Sequence, residues 1–425
     1  MKLFEGGNVT VTSKKGTETK AQKIPIKTIG RDKFYKVVTD LLKKINKDFK
    51  KKFKTLLWTD ETQIENGFTF NGSSSFIMDP NIPDEEITKY KETAGDLDIA
   101  VPDFQRKNLW TYLDSIDSKE VIPGVTYMGS NRPKFSPNED QINCVFVVDF
   151  DAIDGINGLN GLKVPMQIDW EFLPFSETGL PSEWAKFSHS SSFEDTKQGI
   201  KAVHHKYLLR ALVYGISVRD DIVICTPKST YDNYTISKSK NLVNPGMMKF
   251  SVDKGLRVAF EPLQDPEGNP VFDNGKQVFR EIPTKESNYI TDVTEILKLS
   301  INPSDLSCLE SDSKKFWSFT GLVELIKTYV PKENWETINQ KYVKMLWELK
   351  PRSQELERSN PELDYKVKIS GYKFFIDSLG LSDLSKDLIN PYYDGYRIDE
   401  SKDTFRITES KPSGFRSYLK NKGFI

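Results

Sequence analysis

Phe70-Asn71-Gly72-Ser73-Ser74-Ser75-Phe76 and, after a polar insertion, Gly95-Asp96-Leu97-Asp98-Ile99-Ala100-Val101 form the stretch on which the chain turns. Strand periodicity places Asp96 and Asp98 on one face of the second piece and Leu97 and Ile99 on the other. Two neighbouring carboxylates repel, and a divalent cation lets both stay ionised. Paired aspartate oxygens suit hard Mg²⁺ or Mn²⁺, which also accept phosphate oxygens. The first piece is complementary. Gly72 allows close backbone approach, and Ser73 and Ser74 offer hydroxyls and amides at a possible helix start, a cradle for phosphate.

Working outward, Arg31 to Leu57 has Phe34, Val37, Val38, Leu41, Leu42, Ile45, Phe49 and Phe53 at spacings of three and four, which predicts a long amphipathic helix. Its other face carries Lys43, Lys44, Lys47, Lys50, Lys51, Lys52 and Lys54, read either as a solvated face or as a surface for nucleic acid. Asp79 to Thr93, with Pro80, Pro83 and mixed charges, reads as a surface loop with one helical turn. A helix is expected over Gln105 to Ile116. Strands are expected over Val121 to Met128, Ile142 to Phe150 and Leu162 to Phe172, the last two joined by the turn Gly155 to Gly161 as antiparallel neighbours.

Two acidic positions compete as partners of Asp96 and Asp98. Asp169 ends the strand-like run Leu162 to Trp170, whereas Asp149, with Asp151, sits beside a turn, where strand-end solvation accounts for it. Glu171 shares the strand face of Asp169, either orienting a metal site from behind or merely solvated. A helix from about Phe193 to Tyr214 follows Ser188 to Ser192. His204 and His205 are adjacent on it and point apart, which argues against zinc.

Gly72-Ser73 followed by Asp96-Leu97-Asp98 resembles the Gly-Ser and Asp-hydrophobic-Asp signature of the DNA polymerase β-like nucleotidyltransferase superfamily, over roughly Phe68 to Arg210. The chain also resembles nucleotidyltransferase-like proteins of large tailed phages. One departure is the insertion Asp79 to Thr93, longer than the family usually shows. The resemblance implies an α+β fold, a mixed sheet flanked by helices, and catalytic metal ligands at Asp96, Asp98 and a third acid on a later strand, best matched by Asp169. It further implies triphosphate contacts from Gly72, Ser73 and Ser74 and, around the later helix, from Ser190, Ser192, Lys201 and His205. A solvated helix face beside a serine cap is the alternative for the last four. The implied activity is two-metal transfer of a nucleoside monophosphate from an NTP to an acceptor hydroxyl, for example on an RNA such as tRNA, with Mg²⁺ or Mn²⁺ as cofactor. Nucleotidylation of a protein or small molecule, or an inactive binding protein of the same fold, are the alternatives.

Composition narrows the field without choosing among these. At 425 residues the chain predicts two or three domains. We divide it into an N-terminal arm (1–30), a catalytic domain (31–243), a β-ribbon subdomain (244–290) and a mainly helical C-terminal domain (291–425). Sixty basic against 61 acidic residues give a net charge of −1, so any attraction for nucleic acid is local. Cys144, Cys225 and Cys308 show no metal spacing and predict no disulfide framework. Met1 to Gly7 lacks a signal-peptide core and no long apolar run occurs, which predicts an intracellular protein that does not span a membrane. Neither a dinucleotide fingerprint nor a nucleophile elbow is present, which disfavours hydride and acyl transfer.

Overall fold

The computed structural model describes residues 9–59, 62–65, 67, 69–131, 134–135, 141–153, 156, 158–175, 179, 181–189, 191–216, 222–236, 248–251, 254–283, 289–301, 313–348, 361–384, 396–399 and 404–407. It is a mixed α/β chain that divides into two compact units, Met1–Phe193 and Glu194–Ile425.

The first unit opens with a hairpin, β1 (Thr10–Thr12) and β2 (Glu18–Lys20), then α1 (Ile26–Ile29) and the long α2 (Arg31–Phe53). The predicted stripe of α2 from Phe34 to Phe49 is buried throughout, as its spacing requires. Next come α3 (Thr62–Glu65), α4 (Ser74–Ile77) and α5 (Asp84–Tyr90), then β3 (Leu97–Pro102), α6 (Arg106–Ser115), β4 (Glu120–Ile122), β5 (Val125–Ser130), β6 (Gln141–Asp149), β7 (Lys163–Leu173) and α7 (Glu183–His189). The sheet order is β3-β7-β6-β5-β4. The β3–β7 pair is parallel and the remaining pairs are antiparallel, so the sheet is mixed. As expected, β6 and β7 are antiparallel neighbours. The single strand expected from Val121 to Met128 is instead a hairpin, because the chain reverses at Pro123-Gly124 between β4 and β5.

One face of this sheet packs on the core. Leu97, Ile99 and Val101 of β3 and Ile168, Trp170 and Phe172 of β7 join the α2 stripe in a single apolar cluster. The opposite face is partly covered: Val11 of β1 packs on Val145 of β6, and Ala185 of α7 on Ala100 and Leu173. The described part of the N-terminal arm is therefore an ordered element of the unit. The gap between these two covers holds the polar residues of β3 and β7.

The second unit begins with α8 (Phe193–Lys197), whose first residue closes the first unit, and α9 (Val203–Ile216). The predicted continuous helix is broken here at Gly199. β8 (Ile222–Cys225), the hairpin β9 (Met248–Ser251) and β10 (Gly255–Val258), β11 (Phe260–Pro262), β12 (Phe272–Asp273) and β13 (Lys276–Glu281) follow. The expected ribbon is thus present but does not stand alone. β8, from the segment assigned to the catalytic domain, pairs in parallel with β13, because its apolar run Ile222-Val223-Ile224-Cys225 can be buried there. Four helices, α10 (Val293–Ile301), α11 (Phe319–Tyr329), α12 (Trp335–Glu348) and α13 (Pro361–Leu379), make up much of the remainder, with a hairpin of β14 (Tyr396–Asp399) and β15 (Thr404–Ile407) in a region expected to be mainly helical. Asp195 accepts from the backbone N–H of Phe319 at 2.7 Å and of Thr320 at 3.1 Å, and Ser318 Oγ accepts from Gly321 N–H, so the free amides at the start of α11 are satisfied. Among the described residues no helix is long and apolar enough to cross a membrane.

The core of this unit surrounds His204. Its Nε2 accepts from Gly371 N–H at 3.2 Å, so the network puts the ring proton on Nδ1, 2.5 Å from the Tyr342 hydroxyl. A Cβ on Gly371 would fall inside the imidazole. In a helix interior Ala is favoured over Gly by about 1 kcal/mol, yet overpacking costs about 1–3 kcal/mol and must displace a hydrogen-bonded ring. Gly371→Ala should therefore lower stability despite its higher helix propensity, read as a lower thermal midpoint; a raised midpoint would show that the ring is free to move.

Candidate metal centre

The parallel register of β3 and β7 sets Asp98 directly beside Asp169 and Ala100 beside Glu171. Asp96, one period before Asp98, joins them. One carboxylate oxygen from each of Asp96, Asp98 and Asp169 lies within 4.8 Å of the other two. Asp149 is elsewhere: it ends β6 opposite Lys163, whose Nζ lies 2.8 Å from Asp149 Oδ2, an ion pair that accounts for it.

Asp169 is the buried member, 5% exposed. Gln167 Nε2 donates to its Oδ1 at 2.9 Å, and Asn143, its cross-strand neighbour on β6, also bonds its side chain. Burial, which disfavours the charged form, outweighs these donors, and Asp96 and Glu171 add repulsion, so its pKa is pushed up to about 6. A divalent cation with oxygen preference fits the donor set, and Asp96, Asp98 and Asp169 are the residues that would hold it.

Gly72 closes against this cluster. With φ of 52° it lies in the left-handed region, and a Cβ there would collide with Asp98 Oδ2. Its N–H donates to His189 O at 2.6 Å and its O accepts from Ser191 N–H at 3.1 Å. The amide expected to face phosphate is thus engaged within the fold. Ser74 also departs from expectation: it is buried and its Oγ accepts from Asp98 N–H at 3.1 Å, so it positions the Asp98 backbone and is not presented to a ligand. Ser73, at the start of α4, is half-buried and keeps the position expected of it. Of the later candidates, Ser190 lies outside the described residues. Ser192 is half-buried in the same segment as Ser191, which meets Gly72. Lys201 and His205 belong to the second unit, where His205 is buried with Nδ1 3.0 Å from Ala202 O.

Strand periodicity does not reveal the groups that bond Glu171 and the Gly72 segment. Asn71 Nδ2 donates to Glu171 Oε2 at 2.7 Å, and His189 Nδ1 lies 3.4 Å from the same oxygen. Glu171 is thus engaged within the fold by Asn71 and His189 and is not merely solvated. The half-buried Lys186 donates to Phe70 O, and loss of solvent around its ammonium lowers its pKa to about 8 against the opposing pull of Glu171 and Asp79. Lys186 and His189 both project from α7, a helix unforeseen in a segment rich in Ser, Pro and Glu. The available signal was Trp184 and Phe187 among polar residues, too short a pattern to establish a period.

Compared with protein-family models, curated proteins and solved structures, the chain finds no match.

Two outcomes follow from this geometry. Because the folded-state pKa of Asp169 is raised, the folded protein holds a proton that the unfolded chain has lost between about pH 4 and 6, and metal-free stability should fall as pH rises through that window. A shift of this size corresponds to roughly 3 kcal/mol at neutral pH, so Asp169→Asn should melt higher than wild type at pH 7 and alike at pH 4, with Mg²⁺ or Mn²⁺ closing the gap by stabilising only the wild type. Gly72→Ala should cost about 1–3 kcal/mol from its backbone conformation alone and displace Asp98, read together as a lower melting point and a lost cation-induced rise.

Proposed function

We propose that this chain is a nucleotidyltransferase, with the first unit as its catalytic unit, moving a nucleoside monophosphate from an NTP to an acceptor hydroxyl with release of pyrophosphate. The observation that carries this reading is the convergence of Asp96, Asp98 and Asp169 from positions 73 residues apart in sequence, against the Gly72-Ser73 turn. The same placement, one acid just before a strand, a second on it and a third on its parallel neighbour in a mixed sheet, supports a nucleotidyltransferase-like fold.

In this reading Asp96, Asp98 and Asp169 hold Mg²⁺ or Mn²⁺, which when bound offsets triphosphate charge and lowers the pKa of the acceptor hydroxyl. Ser74 fixes the Asp98 backbone, Gly72 leaves its carboxylate room, and Asn143 and Gln167 orient Asp169. The acceptor oxygen forms a bond to the α-phosphorus, the bond to the pyrophosphate oxygen breaks, and the hydroxyl proton is released.

The lysine face of α2 lends only partial support to a nucleic-acid acceptor. Lys43 pairs with Glu65 and Lys44 with Asp48, and Lys52 Nζ donates to Thr111 O at 3.2 Å, while Lys47, Lys50 and Lys51 are exposed. Acceptor class is an arm of the test.

Incubation with each α-labelled NTP and Mg²⁺ or Mn²⁺, offered tRNA, DNA or protein, should transfer label and release pyrophosphate. Asp98→Asn should reduce transfer by at least about 100-fold, since a ligand charge supplying several kcal/mol is removed. Its metal-free melting point should equal or exceed that of wild type, because a like charge is relieved. An Asp98→Asn protein that melts lower and transfers at the wild-type rate would make Asp98 structural and overturn the reading.

A further inference from the structure

The insertion between Ser73 and Asp96 is a held element, not a slack connection. Arg31, 4% exposed, donates from Nε to Ile77 O at 2.8 Å and from its other nitrogens to Asp79 O and Ile82 O. Ile87 of α5 is buried in the core, Lys91 N–H donates to Ile87 O at 2.8 Å, and beyond it Ala94 bridges to Ile24. These bonds along the segment fix where its last turn points.

That turn links Tyr90, through Phe193, to the segment that follows Gly72. The Tyr90 ring is 43% exposed and meets Phe193 edge-on at 6.0 Å, and Phe193 in turn lies 5.3 Å from Phe76 of α4. Phe76 follows Gly72 by four residues, and Phe193 follows Ser191, whose N–H is bonded to Gly72 O. Both aromatic supports therefore begin at the residue that touches Asp98. Each ring has an ammonium group over one face, Lys89 Nζ at 5.3 Å from the Tyr90 centroid and Lys91 Nζ at 5.5 Å from that of Phe76, which leaves the other face of the exposed Tyr90 ring to a ligand. Helix polarity explains lysine at the end of α5, after Asp84, Glu85 and Glu86 at its start. It does not explain an exposed tyrosine supported by a second ring. An aromatic face with positive charge beside it fits a ligand that is both planar and anionic.

Resting on the nucleotidyltransferase reading, we propose that the end of the insertion is the nucleobase subsite: the base of the incoming nucleotide stacks on Tyr90, backed by Phe193, while its triphosphate reaches the carboxylate cluster past Gly72. The long insertion then has a function, to carry one aromatic ring to the edge of the phosphate site.

The test compares two probes with Mg²⁺ by equilibrium binding, α,β-methylene-ATP and inorganic tripolyphosphate. Wild type should bind the nucleotide more tightly than tripolyphosphate. Base stacking on an aromatic side chain is worth about 1–3 kcal/mol, so Tyr90→Ala should weaken the nucleotide roughly 5- to 100-fold and leave tripolyphosphate unchanged, with Tyr90→Phe restoring nucleotide affinity. Because Tyr90 is exposed, an unchanged melting curve checks that the variant is folded. Equal binding of the two probes by wild type, or nucleotide affinity unmoved in Tyr90→Ala, overturns the subsite and leaves the nucleotidyltransferase reading standing. Binding of neither probe by wild type overturns both.

Discussion

The parallel pairing of β3 with β7 is the constraint on which the first unit depends. It forces Asp98 and Asp169 side by side, although their charges repel and Asp169 is buried. The opposing force is on the other face of the same strands, where Leu97, Ile99, Ile168 and Trp170 are fully buried. Each such side chain contributes about 1.5–3 kcal/mol, enough for the apolar face to hold the polar face in a repulsive arrangement. A one-residue slip would reverse both faces at once, so the core that stabilises the sheet also specifies the carboxylate spacing.

Much of this was legible because strand periodicity is short and strict. Alternation in Asp96-Leu97-Asp98-Ile99 told which side chains share a face, and the run into Asp169 identified the strand beside it. The buried stripe of α2 was equally plain. What periodicity cannot report is the hydrogen-bonding state of a group. Gly72 N–H and Ser74 Oγ had the composition of a phosphate cradle, yet His189 O and Asp98 N–H take them up, and both partners were unpredictable without the pairing of distant segments. The same limit hid α7, whose Lys186 side chain and His189 carbonyl meet Phe70 and Gly72, more than a hundred positions earlier.

The second unit shows where local reading misplaces a boundary. Ile222 to Cys225 looked like the tail of a catalytic domain because it lies close in sequence to α9. Its partner, β13, is about fifty residues later and parallel to it. Parallel pairing needs a long connection, and here the connection contains the whole ribbon. Composition shifts mark the ribbon but not the strand that completes its sheet.

The strand bearing Asp98 ends the sheet, and the segment 69–71 lies along its outer side. Ala100 N–H donates to Thr69 O at 2.7 Å, Phe70 bridges Ile99, and Asn71 N–H donates to Asp98 O at 2.9 Å. The turn that packs against the carboxylate cluster is thus also the cover of an apolar sheet edge. Uncovered, Leu97 to Val101 would offer a nearly continuous apolar strand with open backbone groups, a template for pairing between copies of the chain. The same few residues thus both pack against the carboxylates and cap the sheet edge, so a change in that turn that freed the edge would expose strand backbone as well as alter the site.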